Sequence, residues 1–391
     1  MKELTKVQHP PSVEIPAGNR PLLAPVHQSV KYVCENIDAT VKAARGDGGF
    51  FYSRVSNPTN RQLELLLADL QGRNDCVVTA SGVNAVVQSL IALTKTGDHI
   101  LCFIETYSPT RSAIRRLLAR FGVTHTLLSI EDNAGIAKAL AERPTRLVMF
   151  ESPTNPITKI ADIEYIVATA HRYGALAVMD NTFAGFHQHG QYQVDVFVHS
   201  LTKYGSGTGD MMGGAIIANT EILALMRQDL QLFGALLDPQ IAHRMLQGLK
   251  TYFLRYREQS ARALRVAEFL AAHPAVARVH YPGLTSHPRH ALAVKQMRDF
   301  GTIVSFDLAA DAEFGRRFAE QLQLFAITAS LGSTESLIVP PQMIQPRDFS
   351  VEQRALSGIA LSSCRLSMGL EDPDELIADL AQALERAAAT S

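Results

Sequence analysis

Residues 196–210 read Val196-Phe197-Val198-His199-Ser200-Leu201-Thr202-Lys203-Tyr204-Gly205-Ser206-Gly207-Thr208-Gly209-Asp210. An apolar run delivers two hydroxyl residues and a lysine, then breaks into glycines. Such a run suits a strand buried on both faces, with its polar residues at the carboxyl end. The pattern recurs upstream. Segments 76–80, 99–105, 146–151, 175–180 and 196–200 read as short buried strands, and 83–93, 110–121 and 162–173 as the helices between them. Leu63, Leu66, Leu67 and Leu70 lie at helical spacing within 59–71, with Gly72 as a stop. Apolar strands alternating with helices predict an α/β fold with a mainly parallel sheet covered on both faces. In open sheets of this kind the ligand lies beyond the carboxyl ends of the strands.

The 391 residues exceed one ordinary domain, and 47% are hydrophobic, enough for a large core. We expect an arm over 1–50, rich in Pro, Gly and charge, then a large domain over 51–245 and a smaller α+β domain over 246–391. A long helical stretch over roughly 238–273 is long enough to bridge the two. Segments 276–281, 302–307 and 363–368 read as strands, and 374–388 as a closing amphipathic helix.

The net charge is −1, with no extended basic block, which argues against nucleic acid or an anionic membrane as partner. No apolar run approaches a membrane span, and Met1-Lys2-Glu3-Leu4-Thr5-Lys6 lacks the apolar core of a signal peptide. Cys34, Cys76, Cys102 and Cys364 are scattered, as expected of reduced thiols in a cytoplasmic protein.

The candidate site residues lie at predicted strand ends. Lys203, beside Thr202 and a glycine run, suits a covalent imine to an aldehyde cofactor such as pyridoxal 5'-phosphate (PLP), where a surface lysine is the bland alternative. Asp180, followed by Asn181 and Thr182, reads either as the partner of a protonated pyridine nitrogen or as a helix cap. Ser81-Gly82 opens a helix and offers N–H groups to a phosphate, or is an ordinary cap. Tyr107 can stack on a planar ring or simply line the core. Asn155 can donate to a phenolate oxygen, or belongs to a common Asn-Pro turn. Arg54 is either a phosphate fork or a solvated side chain. Arg365, in an apolar strand, needs an anion, supplied by a substrate carboxylate or an internal acid. Gly205–Asp210 lacks the third glycine of a dinucleotide loop. His187, His189 and His199 can be drawn as a metal site but read more simply as solvated, so no metal ligand is assigned.

With these residues in hand, the chain resembles the PLP-dependent Cys/Met metabolism family. The resemblance rests on pieces in consistent order: Tyr52-Ser53-Arg54 with Asn57-Pro58-Thr59, Ala80-Ser81-Gly82, Glu151-Ser152-Pro153-Thr154-Asn155-Pro156, Asp180-Asn181-Thr182-Phe183, His199 to Tyr204, Ser330-Leu331-Gly332 with Glu335-Ser336-Leu337, and Arg365 to Glu371. It implies the fold-type I aminotransferase-like architecture. It implies that Lys203 holds PLP and later moves protons, that Asp180 pairs with the ring nitrogen, and that Tyr107 stacks on the ring. Ser81, Gly82 and Val83, with Thr182, Ser200 and Thr202, would serve the cofactor, mainly its phosphate. Tyr52 and Arg54 would reach that phosphate from a neighbouring subunit. Asn155 would touch the ring oxygen, and Ser330 and Arg365 the substrate carboxylate. Tyr107 and Tyr52 would assist the incoming amine or the leaving group. A homodimer is then the minimum unit, with a tetramer expected.

The implied activity is carbon–sulfur bond cleavage on a sulfur amino acid, by β- or γ-elimination on a cystathionine, methionine or cysteine-type substrate. The alternative is γ-replacement on an activated homoserine. The markers of substrate point different ways. Gly207-Thr208-Gly209-Asp210 stands where relatives carry Gly-His-x-Asp. Ala329 and Phe51 stand where cystathionine γ-synthases and γ-lyases often have Glu. Ser108-Pro109 follows Tyr107 in place of the cysteine of methionine γ-lyase.

Overall fold

The five-residue apolar runs do form the central sheet. The computed structural model describes residues 16–389 except 17, 47 and 347, so the first 15 residues of the expected arm lie outside it. Strands β1 (Asp75–Thr79), β2 (His99–Phe103), β3 (Thr124–Leu128), β4 (Leu147–Glu151), β5 (Leu176–Asp180), β6 (Val196–Ser200) and β7 (Gly214–Ala218) make a seven-stranded sheet in the order β1-β7-β6-β5-β4-β2-β3. All pairings are parallel except those of β7, which runs antiparallel to β1 and β6. Successive side chains enter opposite cores. Val148 and Phe150 pack on one face of the sheet, Leu147 and Met149 on the other. That double burial explains a continuous apolar run where a half-exposed strand would alternate.

The second sheet contains β8 (Val276–His280), β9 (Ile303–Leu308), β10 (Ala326–Ile327), β11 (Leu337–Val339) and β12 (Ser363–Ser367), in the order β10-β11-β12-β9-β8. Only the short β10–β11 pairing is parallel. Helices Ala312–Gln321 and Pro373–Ala389 supply Phe318, Leu376 and Leu380 to its core. Together the two sheets give the α/β, fold-type I arrangement expected from the sequence.

Three local expectations are corrected. The stretch 238–273 is two helices, Pro239–Leu249 and Tyr252–Ala272. At the break, the Arg255 guanidinium donates to the carbonyl oxygen of Gly248, and its Nε to the Thr251 hydroxyl. The Thr251 N–H also donates to the Gly248 carbonyl oxygen at 3.2 Å, so a tighter backbone turn and these side-chain bonds stand where the continuous helical bond would be. The second helix still joins the cores: Tyr252 and Tyr256 belong to that of the first sheet, Ala263, Val266 and Leu270 to that of the second. The stretch 110–121 winds as an α turn to Ser112, a wide turn over Ala113–Leu117 and a tight turn over Leu118–Phe121. Strands β3 and β7 add to those read from sequence.

Of the expected arm, helix Ile37–Arg45 and the bridge between Lys31 and Tyr52 are described. Leu22, Val33 and Ile37 lie exposed there. No helix among the described residues is long and apolar enough to cross a membrane.

Candidate active site

The carboxyl ends of β4, β5 and β6 and the start of helix Gly82–Leu93 converge on a cavity of about 300 Å³. Lys203, Asp180, Tyr107, Ser81, Gly82, Val83, Asn155, Thr182, Ser200, Thr202, Ser330 and Arg365 all line it, with Ala329 at its edge. Tyr52 and Arg54 do not. Arg54 instead donates to the Gln231 carbonyl oxygen at 3.3 Å, lies 5.6 Å from the Tyr52 ring centroid, and faces a separate cavity.

Lys203 follows β6 through a short turn, its N–H donating to the Ser200 carbonyl oxygen at 3.3 Å. Its Nζ donates to Ser330 Oγ at 2.9 Å. Burial, then the Arg365 cation, lower its pKa to about 8, while Asp180 opposes them. An amine so placed is partly neutral near physiological pH, the form that attacks a carbonyl carbon. The turn is held from behind: Arg255 donates to the Tyr204 carbonyl oxygen, and the Tyr204 hydroxyl pairs with that of Thr302 at 2.7 Å.

Asp180 ends β5, and the Thr182 N–H donates to its Oδ1 at 3.0 Å. Burial raises its pKa, opposed by the Thr182 bonds and Lys203. Such a carboxylate gains most from a cation brought into its pocket. The Thr182 hydroxyl in turn accepts the Ser200 N–H at 2.9 Å and ties β5 to β6.

Ser81 caps its helix by accepting the Asn84 N–H at 3.1 Å. The N–H groups of Gly82 and Val83 have no partner within the helix and carry the positive end of its dipole. A Cβ on Gly82 would lie 2.5 Å from Ser200 Cβ, so only glycine lets the helix start meet the end of β6. Thr202 donates to the Gly213 carbonyl oxygen and accepts the Gly213 N–H, closing the glycine run.

The second sheet brings Arg365 from β12. Its Nη1 donates to Asn155 Oδ1 at 2.7 Å and its Nη2 to the Ser330 carbonyl oxygen at 2.9 Å. Its buried Nε has no partner among the described residues. Burial lowers its pKa to about 10, so it remains a cation at neutral pH. Ser330 sits at φ 90°, a left-handed conformation that a serine holds only when its surroundings enforce it. Gly332, also left-handed, lies so close that a Cβ there would touch the Tyr204 ring and the Lys203 carbonyl carbon. The two sheets therefore meet at the lysine.

Among the lining residues not singled out from sequence are Glu151, Phe183 and Met212. Glu151 opens the Glu-Ser-Pro-Thr-Asn-Pro turn, where only Asn155 drew notice. The histidines raised as metal ligands are separately engaged, His187 with Tyr252 and Asp299, His189 with Asn181, and His199 with Gln71.

The family model for Cys/Met metabolism PLP-dependent enzymes matches residues 13–385. The chain is 37% identical to L-methionine gamma-lyase of Pseudomonas putida, over 94% of this chain and 93% of that protein. It is 38% identical to cystathionine beta-lyase of Lactococcus lactis subsp. cremoris, over 86% and 88% respectively. The fold matches the crystal structure of a putative O-acetylhomoserine (thiol)-lyase from Campylobacter jejuni with TM-score 0.88, at 33% identity over 94% of this chain and 96% of that one. That structure contains N'-pyridoxyl-lysine-5'-monophosphate.

The residues here fit PLP. A lysine amine with lowered pKa, a half-buried carboxylate and an arginine Nε that find no contacting counter-charge or acceptor among the described residues, and a helix start with free N–H groups, face one cavity. An aldehyde, a pyridine nitrogen, a phosphate and a substrate carboxylate are the groups that would satisfy them. The chain belongs to the Cys/Met metabolism PLP-dependent enzyme family, and pyridoxal 5'-phosphate is its cofactor.

Proposed function

We propose that this enzyme is a carbon–sulfur lyase acting on an amino acid with an uncharged thioether arm, of the methionine type. The carrying observation is a second chamber of about 380 Å³ that shares Tyr107, Asn155, Ala329 and Arg365 with the first. Ile157, Val339, Met343, Ile344, Phe349 and Ile359 make most of its wall apolar. Its charges are committed. Glu105 accepts from Lys159 Nζ at 2.9 Å, Ser129 Oγ and the Ile130 N–H, while Arg111 pairs with Asp348 at 2.8 Å. With Arg365 engaged by the substrate's α-carboxylate, a distal ammonium or second carboxylate finds no unpaired counter-charge among the described residues of this wall. Burying an ion that way costs several kcal/mol.

In this assignment the Arg365 fork, aimed by Asn155, takes the substrate carboxylate. Bound PLP supplies an electron sink conjugated to the substrate's α-carbon. Lys203 Nζ, steadied by Ser330, takes the proton from Cα and shuttles it, and Asp180 holds the ring nitrogen's charge. The Tyr107 phenol, whose pKa burial and then Asp180 raise, stays protonated and can give its proton to the departing sulfur. For methionine a second proton then leaves Cβ, the Cγ–S bond breaks with its electron pair on sulfur, and Cγ takes a proton back. Addition of water then leaves methanethiol, ammonia and 2-oxobutyrate.

Ser81, Gly82, Val83, Ser200 and Thr202 would hold the phosphate. Because Tyr52 and Arg54 lie away from this cavity in their own chain, we assign them to the site of a second copy, with a dimer as minimum and a tetramer as the expected form. The free thiols, of which Cys76, Cys102 and Cys364 are buried, agree with a cytoplasmic protein. The division into 1–50, 51–245 and 246–391 is retained as a proposal.

The second reading is γ-replacement, favoured by the likeness to the thiol-lyase structure. Incubation with methionine, cystathionine and cysteine separately, with the keto acid identified, decides. We expect 2-oxobutyrate from methionine at the highest kcat/KM. No keto acid from any substrate, with a thioether formed from an acylated homoserine plus a thiol, would replace the lyase reading.

A further inference from the structure

Glu151 has no part in the steps above, yet it is the most tightly placed acid in the site. It ends β4, is 5% exposed, and stands directly across the strand pair from Asp180. Its Oε2 accepts the Tyr107 N–H at 2.9 Å, and its Oε1 accepts the Asn155 N–H at 2.8 Å. No ion pair reaches it among the described residues. Lys159 serves Glu105 and Glu131, and Arg111, whose charge acts on it from a distance, is bonded to Asp348. A buried carboxyl beside a second, half-buried carboxyl and without a contacting cation is unfavourable for stability alone. Its pKa is raised accordingly, by burial and then by Asp180, against the two N–H groups and Arg111.

The two bonds explain the placement. Tyr107 stands in the loop after β2 and Asn155 in the loop after β4. These loops carry the aromatic face and the amide that border the same cavity. One side chain fixes both backbones relative to the strand end beside Asp180. We propose that Glu151 is a positioning residue of the cofactor site. It grips the Tyr107 and Asn155 loops together, and, ionising once a cationic ring nitrogen enters the pocket beside Asp180, it favours the protonated form of the cofactor's ring system. The groups facing it are Asp180 on β5, the Tyr107 phenol and the Arg111 guanidinium held by Asp348.

The test uses the holoenzyme and two substitutions. Glu151→Gln keeps the shape but turns one acceptor into a donor facing an N–H, and removes the charge. PLP affinity should fall by roughly tenfold, the loss of one bond to a charged acceptor. The pH midpoint of the bound cofactor's visible absorption should fall by roughly one unit, because a cationic form loses a nearby anion. Glu151→Asp keeps the charge and is too short to hold both amides, so affinity should fall while the midpoint stays.

Glu64→Gln is the control for mere destabilisation. Glu64 is partly buried, pairs with Arg61 at 3.2 Å, accepts the Val78 N–H at 3.2 Å and lies outside the Lys203 cavity, so its substitution should lower Tm and leave the midpoint unchanged. If Glu151→Gln behaves like this control, or if Glu151→Asp moves the midpoint as far as Glu151→Gln, the proposal is overturned. Hydrogen exchange on the wild-type holoenzyme needs no variant. The Tyr107 and Asn155 amides should exchange slowly and at a common rate, and exchange at open-loop rates would remove the grip.

Discussion

Replacing Gly82 by alanine tests the proposed phosphate cradle where it is tightest. The new Cβ would lie 2.5 Å from Ser200 Cβ, 2.8 Å from Ser200 Cα and 2.8 Å from Ser200 Oγ. Carbon atoms rest about 3.5–4.0 Å apart, so the helix start must retreat from the end of β6 by roughly 1 Å. The obstacle is main chain and its first carbon, not the tip of a flexible side chain. Overpacking of this kind costs roughly 1–3 kcal/mol, and the alanine's better helix propensity returns less than about 1 kcal/mol of it. For a chain of this size Tm should fall by a few degrees.

The larger effect is on the cofactor. A 1 Å retreat lengthens the N–H contacts from Gly82 and Val83 to a bound phosphate. Loss of one such bond, worth about 1.5–3 kcal/mol, weakens PLP binding roughly ten- to hundredfold. Apoenzyme titrated with PLP, followed by visible absorption, gives the affinity, and thermal denaturation of the apoenzyme gives Tm. A variant with wild-type Tm and affinity within about twofold of wild type would refute the reasoning.

Three further outcomes are expected. Lys203 has a pKa near 8 when folded against an ordinary 10.5, so between those values the unfolded chain binds a proton that the native chain does not. Apoenzyme stability from this group therefore rises with pH across that window, by on the order of 2–3 kcal/mol, and denaturant titrations of Lys203→Met should lack the rise. Asp180→Asn should retain PLP but lose keto-acid formation by roughly a hundredfold, about 3 kcal/mol for one charge-assisted contact, measured as kcat at saturating substrate. Asp348→Asn strips the buried Arg111 of its counter-ion. Discounted for the partial exposure of Asp348, the loss is about 1–3 kcal/mol, read as a lower Tm and faster proteolysis near residues 341–361.

Much of the fold was legible because β2, β4, β5 and β6 are buried on both faces and leave nothing but apolar residues in the sequence. Strand β3 escaped because Thr124-His125-Thr126 sits at the sheet edge, with a composition that suits a loop equally well. Strand β7 escaped because its glycine start continues the run after Lys203, and its antiparallel insertion breaks the alternation. The 238–273 break was hidden because a tighter turn and an arginine side chain make it, not a proline. Lys203, Asp180 and Arg365 announced themselves as polar residues in or just after apolar strands. Glu151 did not, since its meaning lies in standing opposite Asp180, and that adjacency is a property of strand order. The apolar chamber was equally unreadable, being assembled from turns about two hundred residues apart in the chain.

The tether from Lys203 to Ser330 and the Arg365 fork also set an order of events during synthesis. In the proposed assignment every cofactor contact within one chain lies between Ser81 and Lys203, whereas the substrate contacts come from the second sheet, at Ser330 and Arg365. A chain still emerging from the ribosome completes its cofactor-contacting segment long before it can hold a substrate carboxylate. The strand that carries Arg365 pairs centrally in its sheet, between β11 and β9, so the fork exists only once nearly the whole chain is present.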